Sequence, residues 1–383
     1  MTPPAAQEPW SSGNVVRILS DGAEALPAML EAIDSAKKQV SLEMYWFASD
    51  RTGTSFADAL GRKAESGVEV NLLYDGVGSF ESDEAMFDEL RGRGVRVVEF
   101  HPVSPWRTRF KWSWVTWNRR NHRKLLVVDG KTGITGGLNL CDQSAPVEAG
   151  GQGWRDAMVE IAGPVAHQLG HLFERTWRRA GGAPLRDPPV PAPAPEGTKG
   201  RVRGARIVWS GWSGRRRTIR ANYLWRISTA RKSIHLTNPY FVPDRTVVRE
   251  LRCAARRGVD VRILVPAASD VPLVRYASRA GYARLLKEGV HVHEYAAAVL
   301  HAKTAVIDGD WSTVGSYNLD YRSWKLNLEL NAVIADADLG ARMEERFAAD
   351  LTRAPEVDLR AFRMRPLSER LVERVAHAMR RWL

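Results

Sequence analysis

Two stretches of the chain, "NHRKLLVVDGKTGITGGLNL" (121–140) and "LHAKTAVIDGDWSTVGSYNL" (300–319), align without a gap at an offset of 179 residues. Each contains the pattern His-x-Lys-x4-Asp, a short apolar run, a glycine-containing turn and an asparagine. The apolar runs LLVV and TAVI have the composition of buried β-strands. Two aligned copies in one chain indicate a duplicated fold whose halves carry matching polar groups.

The duplication extends beyond the two motifs. Three further pairs of segments match: "SAKKQVSLEMYWFASDR" (35–51) with "TARKSIHLTNPYFVPDR" (229–245), "GVEVNLLYDG" (67–76) with "GVDVRILVPA" (258–267), and "LRGRGVRVVEF" (90–100) with "LLKEGVHVHEY" (285–295). Apolar strands alternating with helices of about 10 to 15 residues predict β-α-β units. We therefore expect an α/β protein of two pseudo-symmetric domains, each a mixed, largely parallel β-sheet flanked by helices, sharing one active site.

Composition divides this fold into segments. The stretch 181–204 carries six prolines with glycine at both ends, which is typical of an extended linker. The predicted order is a flexible N-terminus (1–14), a first domain (15–183), a linker (184–204), a second domain (205–352) and a C-terminal basic amphipathic segment (353–383).

The charge balance indicates an anionic partner. The 383 residues carry 56 Lys and Arg against 44 Asp and Glu, a net charge of +12, which favours phosphate esters, nucleic acid or acidic lipid surfaces. Two cysteines exclude a disulfide framework and fit a reducing compartment. No apolar run approaches the roughly 20 residues of a membrane span, and the N-terminus lacks a leader pattern. We expect a cytoplasmic protein, peripheral at the inner face of the cell membrane.

The motif residues predict an anion site. Residues two apart on a strand point to one face, so His122 and Lys124 are expected to project together, as are His301 and Lys303. If the two halves face each other, two imidazoles and two ammonium groups surround one pocket. Such a pocket suits a phosphodiester rather than a metal ion, because phosphoryl transfer needs positioning and charge neutralisation above all.

The two histidines can divide the chemistry. One attacks phosphorus, and the other protonates the leaving alcohol and then activates the incoming one. Each imidazole needs an acceptor on its other nitrogen, and Asp156 and Glu329 lie at corresponding places after the two motifs. Asp129 and Asp308 belong to the same catalytic motifs, but they precede glycines at turns and are expected to brace loops.

Three polar residues near the motif ends, Asn139, Ser316 and Asn318, are candidates for binding the substrate phosphate, since amide and hydroxyl hydrogens bond phosphate oxygens. His167 and His171 have the i, i+4 spacing of a helical zinc pair, but no HExxH glutamate or third ligand accompanies them. We therefore expect this pair to pack, and we predict no metal and no cofactor.

These residues resemble the phospholipase D superfamily, whose hallmark is a duplicated HxKxxxxD motif. The resemblance spans about Val15 to Leu351 and is strongest to bacterial cardiolipin synthases of the short B-type. The other segments that show this resemblance are "GGLNL" (136–140), "GWRDAMVEIAGPVA" (153–166), "NPYFVPD" (238–244), "GSYNLDYRS" (315–323) and "NLELN" (327–331). It implies His122 as nucleophile, His301 as general acid and base, and metal-free transfer of a phosphatidyl group from one phosphatidylglycerol to another, releasing glycerol.

Other functions remain open at the level of sequence. The same core can hydrolyse phospholipids with water as acceptor, or cleave nucleic acid, because basic grooves with aromatic residues also bind single strands. A binding module without activity is the remaining alternative, although both motifs are intact. We expect a phospholipid substrate such as phosphatidylglycerol, an anionic membrane surface, and no nucleic-acid partner.

Two segments are candidates for membrane contact. In "RPLSERLVERVAHAMRRWL" (365–383), apolar residues repeat at helical spacing among arginines, which suits a lipid interface or a helix packed on the protein equally well. The stretch "WRTRFKWSWVTWNRRNHRK" (106–124) mixes tryptophans with basic residues, and the aligned halves place 16 extra residues here. We expect Trp112, Trp114 and Trp117 to contact the membrane, with a lid over the pocket as the alternative.

Overall fold

The computed structural model describes residues 4, 8–103, 117–187, 190–211 and 218–382. The strands of the first sheet are β1 (Asn14–Ser20), β2 (Gln39–Met44), β3 (Glu69–Asp75), β4 (Arg96–Phe100), β5 (Leu125–Val128), β6 (Thr132–Gly136), β7 (Ala157–Ala162) and β8 (Arg201–Val202). Those of the second sheet are β9 (Gly204–Ser210), β10 (Ser233–Thr237), β11 (Asp260–Pro266), β12 (His291–Tyr295), β13 (Thr304–Ile307), β14 (Trp311–Gly315) and β15 (Glu329–Ala335).

Helices cover the sheets and form the C-terminal region. In the first half they are α1 (Asp21–Ser35), α2 (Arg51–Glu65), α3 (Glu84–Gly92) and α4 (Pro164–Arg179). In the second half they are α5 (Thr218–Thr229), α6 (Arg245–Arg256), α7 (Pro272–Leu286), α8 (Tyr321–Lys325), α9 (Ala337–Leu351), α10 (Leu359–Arg363) and α11 (Leu367–Ala378). Among the described helices, none is both long enough and apolar enough to cross a bilayer.

The two sheets repeat one topology. Their strand orders are β4-β3-β2-β5-β6-β7-β1-β8 and β12-β11-β10-β13-β14-β15-β9. The predicted two-sheet α/β architecture with mixed pairing is confirmed, but the expectation of largely parallel pairing is wrong. Only β2-β3-β4 and β10-β11-β12 pair in parallel among the described strands. These are the strands joined by helices, whereas tight turns join β5 to β6 and β13 to β14, and a tight turn reverses the chain.

The halves share one apolar core. Leu125 and Val127 of β5 lie in the same buried cluster as Val314 and Leu330 of the second sheet. Each half also has its own cluster beneath its helices, as expected for a sheet buried on both faces. Because the shared cluster joins the two sheets, the polar groups at their facing ends are held by a common core.

The predicted segment boundaries remain predictions. Backbone hydrogen bonds join the predicted segments to one another. The backbone N–H of Ser11 donates to the carbonyl of Ala205 at 2.9 Å, and Asn14 is fully buried. At the end of the predicted linker, β8 pairs with β1.

The C-terminal helix α11 packs on α7. Glu373 and Ala376 are buried there, and Glu373 accepts a hydrogen bond from Arg279 of α7 at 3.2 Å. The large apolar side chains of this region face solvent instead: Leu367, Leu371, Val372, Val375, Met379 and Trp382. The helix therefore packs through small and polar residues and leaves its apolar face uncovered by the described part of the chain.

Candidate active site

The segment that carries His122 pairs with the second half of the chain. The backbone N–H of His122 donates to the carbonyl of Leu328 at 3.0 Å, and the N–H of Leu328 donates to the carbonyl of Arg120 at 2.9 Å. Glu329 begins β15 directly after this bridge. Two parts of the chain about 200 residues apart are thus joined at the reaction centre by backbone bonds, which leave little freedom in their relative position.

The segment that carries His301 pairs with the first half in the same way. The N–H of His301 donates to the carbonyl of Arg155 at 2.7 Å, and the N–H of Arg155 donates to the carbonyl of Val299 at 2.8 Å. Asp156 follows directly. The pairing is reciprocal, so each half supplies one histidine segment and one carboxylate segment.

This exchange decides which carboxylate contacts which histidine. Nδ1 of His122 lies 3.1 and 3.2 Å from the two carboxylate oxygens of Glu329. Nδ1 of His301 lies 2.7 Å from Asp156. Each imidazole is therefore bonded to the carboxylate of the opposite half, and its Nε2 is left as the nitrogen available for chemistry.

The two motif lysines lie in the same buried region. Lys124 donates from Nζ to the carbonyl of His122 at 2.8 Å and lies over the ring of Tyr45, 4.9 Å from its centroid. Lys303 donates to the carbonyl of His301. The expectation that these residues lie on regular strands is wrong, because each lysine lies one position and each histidine three positions before β5 or β13 begins.

Burial and like charge lower the pKa values of these cations. Burial, helped by Lys124, lowers the pKa of His122 to about 4, against the opposing effect of Glu329. Burial and the neighbouring Lys303 lower the pKa of Lys124 to about 7, and burial lowers that of Lys303 to about 8. Burial and Lys303 also lower the pKa of His301. Keeping these groups protonated in the free pocket therefore costs free energy, and a bound anion reduces that cost.

The two carboxylates stay ionised despite their burial. Burial would raise the pKa of Glu329, but His122 and the hydroxyl of Ser316 hold it below its ordinary value. Lys303 and His301 do the same for the pKa of Asp156. Ionised partners keep each Nδ1 protonated and each ring in one orientation.

One pair of equivalent positions supports the two carboxylates differently. Ser316 donates its hydroxyl hydrogen to Glu329, and Ser323 donates to the same carboxylate at 2.7 Å. The equivalent of Ser316 is Gly137, where an added Cβ would lie 2.2 Å from Asp156. Glycine is therefore required at 137 by the close approach of the carboxylate, whereas the second half uses the extra space for a hydrogen bond.

The candidate phosphate-binding asparagines are buried near the motifs. Asn139 and Asn318 are almost fully buried, and the Oδ1 atom of each accepts no hydrogen bond from a described residue. Since amide oxygens and phosphate oxygens both accept hydrogen bonds, only the Nδ2 hydrogens of these two residues can bond the phosphate.

Asp129 and Asp308 bond backbone N–H groups at and just before the start of β2 and β10. Asp129 accepts from the N–H groups of residues 37–39 at 2.8 to 2.9 Å. Asp308 accepts equivalent bonds from residues 231–233. Both have a left-handed backbone, with φ of 52° and 57°. They tie the start of β5-β6 and β13-β14 to the neighbouring strand and do not contact the histidines.

A second buried network supports the segment before β5, and motif reasoning missed it. Arg120 forms an ion pair with Asp75 at 2.8 Å, and the amide of Asn121 donates to Glu43 at 2.7 Å. Arg123 donates to Thr176 at 2.8 Å. The sequence "RRNHRK" (119–124) contains these residues, but their burial was not readable from charge alone.

Aromatic side chains beside the histidines were missed as well. Tyr45 lies edge-on to His122 with ring centroids 4.8 Å apart, and Trp154 lies 5.5 Å from His301. Tyr45 follows β2 and Trp154 precedes β7, and aromatic residues beside strands are common in cores and gave no specific signal.

The remaining sequence predictions have mixed outcomes. Asp187 lies 3.6 Å from Nε2 of His167 and 4.0 Å from that of His171, so the premise that this pair has no third polar neighbour is wrong. Trp112 and Trp114 lie outside the described residues. Trp117 is described and is about 40% exposed.

Comparison with known proteins follows this geometry. A family model described as cardiolipin synthase, PLD-like domain, matches residues 29–177 and 223–351. The chain belongs to this family. The two matched ranges of the cardiolipin synthase PLD-like family contain both histidine segments and both carboxylates, and the resemblance inferred from the motifs is confirmed.

Individual members of the family are similar over most of the chain. The cardiolipin synthase of Geobacillus sp. (strain WCH70) is 35% identical over 97% of this chain and 73% of its own length. Cardiolipin synthase 2 of Bacillus anthracis is 36% identical over 93% of this chain and 68% of its own length. The crystal structure of phosphatidylserine synthase from Haemophilus influenzae Rd KW20 shares the fold, with a TM-score of 0.69 at 14% identity, over 96% of this chain and 93% of that one.

Proposed function

We propose that this protein is a cardiolipin synthase, a phosphatidyltransferase that joins two phosphatidylglycerol molecules and releases glycerol. The observation that carries the proposal is the pair of imidazoles, each bonded through Nδ1 to a carboxylate of the opposite half, beside two buried lysines. The names of the similar proteins support the same substrate class.

In the first step, Nε2 of His122 attacks phosphorus of the donor lipid. The bond from phosphorus to the glycerol headgroup oxygen breaks, and doubly protonated His301, whose charge is stabilised by Asp156 and by the bound phosphate, gives its Nε2 proton to that oxygen. A phosphatidyl group is then bonded to His122. His122 suits this role because its pKa of about 4 leaves the ring neutral at pH 7, with a lone pair on Nε2.

In the second step, His301 takes the proton from a hydroxyl group of the acceptor phosphatidylglycerol. The resulting oxygen attacks phosphorus, the bond from phosphorus to His122 breaks, and cardiolipin forms. The short bond from His301 to Asp156 stabilises the imidazolium during both transfers. Lys124 and Lys303, with Asn139 and Asn318, neutralise and position the phosphate oxygens. Ser316 was also expected to bind phosphate, but its one hydroxyl hydrogen is donated to Glu329.

The product distribution tests this proposal. We expect purified protein incubated with phosphatidylglycerol vesicles to yield cardiolipin and glycerol in equal amounts, measured by mass spectrometry. Phosphatidic acid as the main product would identify a hydrolase instead. Cleavage of single-stranded DNA without lipid turnover would identify a nucleic-acid phosphodiesterase, and either result would contradict the transferase.

For access to lipid, we propose that α11 lies at the inner face of the cell membrane. Its exposed apolar side chains stand beside arginines, an arrangement that suits an anionic lipid interface.

A double substitution tests this contact. Leu371→Ser with Val375→Ser should weaken binding to anionic vesicles by about tenfold or more, because burying each side chain in lipid contributes about 1.5–3 kcal/mol. Sedimentation with vesicles measures it. Val147→Ser with Val190→Ser removes two exposed apolar side chains outside the C-terminal segment and serves as the control. Equal binding by both variants would contradict a membrane role for α11.

A further inference from the structure

A cavity of about 1000 Å³ lies in the second half of the chain between α6, α7, α8 and α11. Seven arginines and two aspartates line it. The motif residues His122, Lys124, His301 and Lys303 do not line it, so the cavity is distinct from the reaction centre.

Four of the lining arginines are uncompensated. Within the described part of the chain, the side chains of Arg245, Arg284, Arg374 and Arg381 form no ion pair or hydrogen bond, whereas two others pair with acids, Arg249 with Glu250 and Arg252 with Glu288. Like charges gathered around one space repel each other unless an anion lies between them. Guanidinium groups bind phosphate in a planar, two-pronged geometry, so a phosphate group is the fitting anion.

Part of the remaining wall is apolar. Val242, Val248, Ala277, Leu285 and Trp324 line the same space. Inorganic phosphate makes no use of such a wall, whereas a lipid places its phosphate on the arginines and its acyl chain against the apolar side chains.

The cavity adjoins both the lipid-facing helix and the reaction centre. Arg374 and Arg381 lie on and just beyond α11, next to its exposed apolar side chains. Tyr321 and Trp324 of α8 line the cavity, while Ser323 of the same short helix donates a hydrogen bond to Glu329 at 2.7 Å. A molecule bound here contacts the helix whose Ser323 bonds Glu329, and Glu329 in turn bonds His122.

We propose that this cavity is a second lipid site, which binds an anionic phospholipid with its phosphate on Arg245, Arg284, Arg374 and Arg381. The site does not depend on the proposed transferase reaction, because it is defined by binding alone.

Gly281 provides a steric test of the site. It lies on α7 in the cavity wall, and an added Cβ would meet no atom within 4 Å. Gly281→Trp therefore places a large side chain in the cavity wall, where the added Cβ meets no neighbouring atom. Gly92 at the end of α3 has the same open surroundings, so Gly92→Trp is the matched control.

The probe is dihexanoyl phosphatidylglycerol below its micelle concentration, added to protein carrying His122→Ala to prevent turnover. Hydrogen exchange of α6 and α7 reports binding locally. We expect the lipid to protect these helices in the parent and in Gly92→Trp, and to have no effect on them in Gly281→Trp. Absence of protection in the parent, or protection that persists in Gly281→Trp, would overturn the proposal. Neither outcome depends on which product the enzyme makes.

Charge and ligand identity are tested with the same readout. Arg245→Gln, Arg284→Gln and Arg374→Gln together should raise the lipid Kd at least about tenfold, since charge-assisted phosphate bonds are lost. The control triple Arg231→Gln, Arg353→Gln and Arg363→Gln removes three exposed charges that have no ion pair in the described chain, and should change the Kd less than about twofold. Equal effects of the two triples, or equal protection by inorganic phosphate at the lipid concentration, would contradict a lipid site.

Discussion

Replacing either motif histidine by alanine is expected to lower the rate of lipid transfer by about 10⁴- to 10⁶-fold, because residues that act as one catalytic unit fail together. His122→Ala removes the atom that bonds phosphorus, and His301→Ala removes the proton donor for the glycerol oxygen. Product formation from phosphatidylglycerol measures both. His171→Ala, at a half-exposed histidine on α4, is the control and should keep near-normal turnover.

A second substrate separates the two roles. A phosphodiester with a p-nitrophenol leaving group needs no proton donor, because the phenolate is a good leaving group. With this substrate, His301→Ala should release p-nitrophenol once per chain and accumulate a phosphohistidine at His122, detectable by mass spectrometry. His122→Ala should release none. A covalent adduct on His301 in the His122→Ala protein would reverse the assignment.

Replacing either carboxylate that bonds the histidine of the opposite half should give the second large loss of transfer rate. Glu329→Gln should slow transfer by about 10²- to 10⁴-fold, since the amide no longer fixes the tautomer of His122. Asp156→Asn should have a similar effect through His301. The p-nitrophenyl substrate distinguishes them: Asp156→Asn should release the first p-nitrophenol at close to the parent rate, whereas Glu329→Gln should stay slow. The opposite order would contradict the pairing seen in the structure.

The pH dependence of kcat/KM tests the roles of the two lysines and Glu329, because a purely structural role would not shift it. Lys124 and Lys303 are charged only below their pKa values of about 7 and about 8, so kcat/KM should fall as the pH rises through this range. Glu329 raises the pKa of Lys124, because a nearby negative charge favours the ammonium form. In Glu329→Gln the alkaline limb should therefore move to lower pH. Glu160→Gln, at a surface ion pair with Arg17, should leave the limb unchanged.

Several features of the fold and site were predictable from sequence for a clear physical reason. The buried runs LLVV and TAVI are β5 and β13 because contiguous apolar β-branched and leucine residues need burial on both faces. That Asp129 and Asp308 brace loops was also predicted, although the backbone N–H groups that they bond lie 75 to 92 residues earlier in the chain. Local chemistry decides the two strands, so a short window of sequence contains them.

Other features depend on contacts between distant residues. The expectation of largely parallel pairing rested on the helical connections, but most antiparallel neighbours are strands far apart in the chain, such as β1 and β7. Asp187 lies beside His167 only because the chain beyond α4 folds back. The amphipathic pattern of α11 suited packing and lipid equally, and the structure packs the helix through Glu373 and Ala376 with its apolar side outward.

The sequence by itself determined the duplication, the α/β class, and the set of groups at the reaction centre: two histidines, two lysines and two carboxylates. These follow from repeated residue types at repeated spacings. Only the tertiary structure decided how they pair. Asp156 and Glu329 each bond the histidine of the opposite half, because Asn121 and Leu328, and Arg155 and Leu300, form backbone bridges between the halves. Such bridges join residues far apart in the chain, and their register is set by the shared core.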